Sequence, residues 1–141
     1  MGRIFIHLHG RTKEKSLQLL IEKYCKRLES ESVRIIEHKN NLTPNEYLLS
    51  LEKNAKESQL ILFDQFGLDY NSIDFSNLVK SWKLNSKDIH LGIGPAVGFP
   101  THNHMKISLS KMTFPHELAA VILVEQIYRS MQIIKGTKYH K

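Results

Sequence analysis

The order of strand-like and helix-like segments predicts an α/β fold with a mainly parallel sheet flanked by helices. Three observations carry this. Short apolar runs alternate with longer runs of helical period along the whole chain. The segment 59–64 is nearly all apolar at Leu60, Ile61, Leu62 and Phe63, as a strand buried on both faces requires. The connections are short, with no internal repeat and no linker rich in Gly, Ser or Pro.

Residues 3–9 read as the first strand, with Ile4, Ile6 and Leu8 on one face. Residues 13–28 read as a helix whose stripe is Leu17, Leu20, Ile21, Tyr24 and Leu28, and Cys25 shares that face as a buried thiol. Residues 32–37 form the second strand through Val33, Ile35 and Ile36. Thr43-Pro44-Asn45-Glu46 then opens a helix: Thr43 suits the cap, Pro44 the first helical position, and Glu46 can close a capping box. The third strand, 59–64, precedes a helix marked by Phe75, Leu78, Val79 and Trp82. Residues 88–94 and 105–110 are the fourth and fifth strands. Residues 98–104 are too polar and too short for a helix. The last helix is 116–134, and every residue from Leu118 to Val124 is apolar. A surface helix shows one stripe, so an all-round apolar helix predicts a second subunit on its free face and hence a homodimer. The alternative is a helix enclosed within one chain.

The 141 residues suit a single domain spanning 1–141. One cysteine excludes an internal disulfide and a Cys-rich zinc site. No run approaches a membrane helix and residues 1–10 lack a signal-peptide pattern, so the expected location is the cytoplasm. The formal charge of +6 suits a polyanionic partner. Its informative part lies after Glu125, the last acid, where Arg129, Lys135, Lys138 and Lys141 follow unopposed. Among the eight histidines, His7 with His9 and His102 with His104 invite a metal reading, but no Cys or carboxylate completes a recognisable ligand spacing, so no metal is expected.

Two loops carry the candidate chemistry. Residues 91–99, LGIGPAVGF, leave the fourth strand, and residues 110–116, SKMTFPH, leave the fifth and enter the last helix. Ligands in open α/β sheets sit outside the carboxyl ends of the strands. These loops therefore flank one crevice, which residues 63–67 can join. The glycine spacing and its late position do not fit a dinucleotide fingerprint. In the acid-free tail, Tyr139-His140-Lys141 places an aromatic, an imidazole and an ammonium in sequence. Such a set can stack a base, move a proton and hold a phosphate.

These residues resemble the RlmH family of SPOUT methyltransferases. The resemblance rests on Ser110 to His116, Val121 and Leu123, Glu125 to Arg129 and the terminal Tyr139-His140-Lys141. Upstream it adds Trp82-Lys83-Leu84, Asp88, Ile93-Gly94 and Leu62-Phe63-Asp64 with Gly67. It implies an α/β knot in which the C-terminal segment threads a loop, a homodimer, and S-adenosylmethionine as methyl donor. The implied substrate is a pseudouridine of large-subunit ribosomal RNA, methylated at N3 on the assembled ribosome. By position, the cofactor residues would be Phe63, Gly94, Leu109, Ser110, Lys111, Met112, Thr113 and Phe114. Tyr139, His140 and Lys141 would be catalytic, with His140 assisting N3 deprotonation or stacking on the base. Arg129, Lys135 and Lys138 would hold RNA. The chain departs from the family at Pro95, where many members have a second glycine, and at Ala120, where an arginine is common. Those departures leave a second reading, a ribosome- or RNA-binding homodimer with little catalysis.

Overall fold

The computed structural model describes residues 2–141. Its elements follow the expected order: β1 (Ile4–His9), α1 (Lys15–Arg27), β2 (Val33–His38), α2 (Pro44–Ala55), β3 (Gln59–Asp69), α3 (Ser72–Leu84), β4 (Ile89–Ile93), β5 (Met105–Ser108) and α4 (His116–Lys135). A 3-10 turn at Glu29–Glu31 leads from α1 into β2. The strands form one sheet in the order β2-β1-β4-β3-β5. Every pairing is parallel.

The sheet has two covered faces. On one, Ile4, Ile6, Leu8, Ile61, Ile89, Leu91 and Ile107 pack with α1, α3 and α4. On the other, Leu60 and Leu62 pack with Tyr47, Leu48, Leu51 and Ala55 of α2. The helical stripe of α1 is narrower than its sequence suggests. Ile21 is its buried residue, while Leu19 and Leu20 are exposed and Cys25 is half-buried. Burial pushes the Cys25 thiol up to about 11, with Glu22 adding to the effect, so it stays protonated near neutral pH.

Local signals set several boundaries. Thr43 accepts from the Glu46 N–H at 3.2 Å, and the Glu46 carboxylate accepts from the Thr43 N–H at 2.9 Å, closing the capping box at the start of α2. Asn71 caps α3 by accepting from the Asp74 N–H at 2.8 Å. Helix α4 ends at Gly136, whose φ of +72° is the left-handed conformation of a C-terminal cap. The N-terminal end of α1 is satisfied from a distance. Glu117 of α4 accepts from the N–H groups of Lys13 and Glu14 at 2.9 and 3.1 Å.

Two departures from expectation have tertiary causes. Strand β3 runs to Asp69 because the chain bulges at 64–67 and then rejoins β5, with Leu68 opposite Ile107 and Asp69 opposite Ser108. Helix α4 lies against both α1 and α3 as well as the sheet. Ala120, Val121, Leu123, Val124 and Ile127 are thereby buried within one chain, leaving Leu118, Ala119 and Ile122 half-buried. Most of the all-round apolar character is accounted for without a second subunit.

The α2-facing side of the sheet holds an unusual row of imidazoles. His38 of β2, His7 of β1 and His90 of β4 lie on adjacent strands. The His7 Nδ1 meets His38 Nε2 at 2.8 Å, and its Nε2 meets His90 Nδ1 at 2.9 Å. The row ends at Ser50, 2.9 Å from His38 Nδ1. In a neutral row each ring supplies one N–H and one lone pair. Burial, reinforced by His38 and His90, lowers the His7 pKa to about 3. Folded His7 therefore stays neutral while the unfolded ring takes a proton below its ordinary value of 6.5. The unfolded state binds more protons in this window, so stability falls as pH drops from 6.5 toward 3. The excluded proton contributes a slope of about 1.4 kcal/mol per pH unit. Denaturant unfolding between pH 4 and 6.5 should show a shallower slope in His7→Leu; equal slopes would remove His7 as the source.

Candidate functional site

The carboxyl ends of β3, β4 and β5 open into a cleft of about 390 Å³. That is the size range of small-molecule and cofactor sites. One wall is Phe63 with the bulge Asp64-Gln65-Phe66, a second is Ile93 to Phe99, and a third is Leu109 to Phe114. His116 and Ala119, on the first turn of α4, form the floor.

Short side chains build these walls. Asp64 Oδ1 accepts from the Phe66 N–H at 2.8 Å, making an Asx turn at the tip of the bulge. Ser110 Oγ accepts from the Met112 N–H at 3.0 Å, the equivalent turn on the facing loop. The two tips are tied together where the Thr113 hydroxyl donates to Gln65 Oε1 at 2.5 Å. The wall from β4 closes on itself through the Gly98 N–H, which donates to the Pro95 carbonyl at 2.8 Å. Phe66, Val97 and Met112 line the cleft yet stay largely exposed, so an apolar rim surrounds the opening.

Of the residues expected to hold a cofactor, Phe63, Gly94, Leu109, Ser110, Met112, Thr113 and Phe114 line this one cleft. Lys111 is exposed on the same loop and does not line it. Pro95 and Gln65 are part of the lining, and Pro95 brings no N–H to it. Ala120 is 1% exposed and packs in the sheet-facing core, so it presents nothing to the cleft.

The tail is elsewhere. Tyr139 and His140 lie beside the last turns of α4, whereas the cleft sits at its first turn. They pack on Tyr128 and Arg129, and the thirteen residues from His116 to Arg129 rise about 20 Å along the helix. At the tail, Arg129 Nε donates to Glu125 at 2.7 Å, and Nη1 lies 3.0 Å from His140 Nδ1. A guanidinium only donates, so Nδ1 accepts and a neutral His140 carries its proton on Nε2. The Tyr139 ring stands edge-on to Tyr128 at 4.9 Å and under the Arg129 guanidinium at 5.0 Å. Arg27 lies over both Tyr24 and Tyr128, extending an aromatic and cationic surface that sequence reading missed. The signal was present in Tyr24 and Arg27 but lies on α1, remote from the tail in sequence.

The two basic residues beyond Arg129 differ. Lys138 is exposed. Lys135 is bound to Glu31 at 2.6 Å, and Lys83 reaches the same carboxylate at 3.5 Å. The Lys135 hydrogen bond, followed by the two ammonium charges, holds the Glu31 carboxyl below its usual range despite partial burial. Lys135 therefore fastens the end of α4 to the 3-10 turn.

A parallel α/β sheet with an apolar, loop-built cleft at the carboxyl ends of its strands is the architecture in which open α/β proteins place small ligands. The sequence comparisons make the class specific. A family model described as "Predicted SPOUT methyltransferase" matches residues 3–140. A ribosomal RNA large subunit methyltransferase H from Clostridium tetani is 34% identical over 94% of this chain and 95% of its own length. Proteins of the same name from Caldicellulosiruptor bescii and Mycoplasmopsis synoviae are 38% and 39% identical. They cover 94% and 91% of this chain, and 96% and 92% of their own lengths. The chain belongs to the SPOUT methyltransferase family.

Proposed function

We propose that the chain methylates N3 of a pseudouridine in large-subunit ribosomal RNA, using S-adenosylmethionine. The observation that carries this reading is the single cleft assembled from all three loops, in a chain that matches a methyltransferase family almost end to end. The cleft suits the donor: about 390 Å³, with the rings of Phe63, Phe99 and Phe114 for a flat base and Ser110, Thr113 and Gln65 for polar groups. When bound there, S-adenosylmethionine supplies a methyl carbon on a positive sulfur, so transfer is an in-line displacement dominated by positioning. The three walls fix the direction of approach. The apolar rim of Phe66, Val97 and Met112 surrounds the opening through which the target base would enter.

On this reading the protein is a cytoplasmic homodimer with a knotted C-terminal segment, and one domain spans the chain. The tail of one subunit completes the cleft of its partner, because its own cleft lies about 20 Å away along α4. With Nδ1 taken by Arg129, His140 does not accept the N3 proton itself; the proton passes to water, and the Nε2–H donates to the base as negative charge develops. Tyr139 supplies a stacking ring and Lys141, Lys138 and Arg129 positive charge toward RNA phosphates. The described residues include no helix long and apolar enough to cross a membrane.

Calorimetry with S-adenosylmethionine, followed by methyl transfer to intact ribosomes and to naked ribosomal RNA, tests this. Micromolar donor binding and transfer to ribosomes are expected. Ribosome binding without donor binding would favour a non-catalytic role, for which the missing N–H of Pro95 is the specific observation.

A further inference from the structure

We propose that Tyr47, which lies outside the cleft, is a positioning residue that sets the β4 wall and thereby the affinity for the methyl donor. The inference rests on the reading of the cleft as a methyl-donor site.

Tyr47 sits on α2 and is 0% exposed. Its hydroxyl lies 2.7 Å from the carbonyl of Ile93 and 3.1 Å from that of His7. One proton serves both, with the Ile93 bond the shorter. The paired ladder between β1 and β4 ends at His7 opposite Gly92. The hydroxyl therefore bridges the two strands at the end of the ladder, from His7 of the last pair to Ile93 one residue beyond it, where the wall leaves the sheet.

The ring of the same side chain meets the other end of the wall. Phe99 lies parallel to the Tyr47 ring, within 7° and at 5.8 Å between centroids. Phe99 is in turn laid against the backbone of the exit: a Cβ on Gly94 would stand 3.3 Å from two of its ring atoms. Residues 94–98 thus form a loop pinned at its exit by the Tyr47 hydroxyl and at its return by the Tyr47 ring. Between the pins lies the turn closed by Gly98 and Pro95. Helix α2 is fixed by its capping box and by Leu48 and Leu51 in the core, so the anchor is rigid.

Tyr47→Phe keeps the ring and removes the hydroxyl; Tyr47→Leu removes both, and neither replaces a residue that lines the cleft. Both are measured as the full-length dimer, with three readouts on the folded protein. The Gly98 amide should exchange with deuterium about tenfold faster in either variant, because local opening becomes easier. The dissociation constant and KM for S-adenosylmethionine should rise roughly five- to tenfold, the scale of one lost hydrogen bond, with kcat within about twofold. A residue that only supported the fold would lower Tm and the active fraction but leave the KM of the folded fraction unchanged. Unchanged Gly98 exchange in both variants, or faster exchange with unchanged donor affinity, would overturn the proposal. Wild-type protein that binds no S-adenosylmethionine would overturn the methyltransferase reading and with it the donor half of this one. The exchange comparison then still decides whether Tyr47 sets the wall.

Discussion

His140→Ala should lower methyl transfer to ribosomes by about 10²–10³-fold while leaving S-adenosylmethionine affinity within twofold. The reason is spatial. The imidazole is held by Arg129, about 20 Å along α4 from the first turn, where the donor cleft lies. A substitution at the tail therefore leaves the chain's own cleft walls untouched. The loss should appear in kcat, since an interaction that strengthens only as charge develops on the base acts in the transition state. Arg129→Gln should mimic it in part, because His140 then loses the donor that sets its tautomer. A mixing experiment separates a shared site from a site within one chain. Combining His140→Ala subunits with subunits carrying a blocked cleft, such as Gly94→Val, should restore about a quarter of wild-type activity, since half of the randomly formed dimers are mixed and each holds one intact site. No recovery in demonstrably mixed dimers would exclude the shared site. A His140→Ala enzyme with normal kcat would remove the role of His140 altogether.

Gly67→Ala should damage the fold severely. At the point where the bulge of β3 rejoins β5, a Cβ on Gly67 would fall 2.6 Å from the Ile107 nitrogen, the Ile107 carbonyl carbon and the Lys106 carbonyl carbon. These are backbone atoms inside a parallel ladder and cannot swing aside as a flexible side chain would. The strands must separate, at a cost on the order of 3 kcal/mol. For a domain of this size that corresponds to a fall in Tm of roughly 10 °C, measurable by thermal unfolding. Because Asp64, Gln65 and Phe66 form a cleft wall, donor affinity should fall with it. Gly136→Ala provides the contrast. A Cβ there meets nothing within 4 Å, and only its φ of +72° is unfavourable. Its cost should be nearer 1 kcal/mol. Equal stabilities for the two variants would show that close approach at Gly67 is not the controlling term.

The parts legible in the sequence share a short range. The capping box of α2 depends on Thr43 and Glu46, three residues apart. The apolar run from Leu60 to Phe63 announces a doubly covered strand within its own length. The loops at 63–67, 91–99 and 110–116 could be assigned to one crevice because parallel strands must all point their carboxyl ends the same way. The features missed are those in which partners are far apart in the chain. His7, His38 and His90 read as scattered histidines until three strands are set side by side. The apolar run of α4 gave no sign in sequence that α1 and α3 flank it and take up most of that surface. Lys135 read as a free positive charge until Glu31, over 100 positions earlier, was placed beside it.

Local signals along the chain were enough for the succession of elements, the parallel sheet, the three loops of the cleft and the resemblance to the methyltransferase family. Periodicity, caps and motifs act over a few residues and need no knowledge of what lies across the core. The packing of the whole chain is what carries β3 beyond its bulge, sets Tyr47 against both ends of the β4 wall, and holds the tail at Arg129, well away from its own cleft. Those depend on strand order and on which helix covers which face. They are set by the burial of the whole apolar surface at once rather than by any local preference.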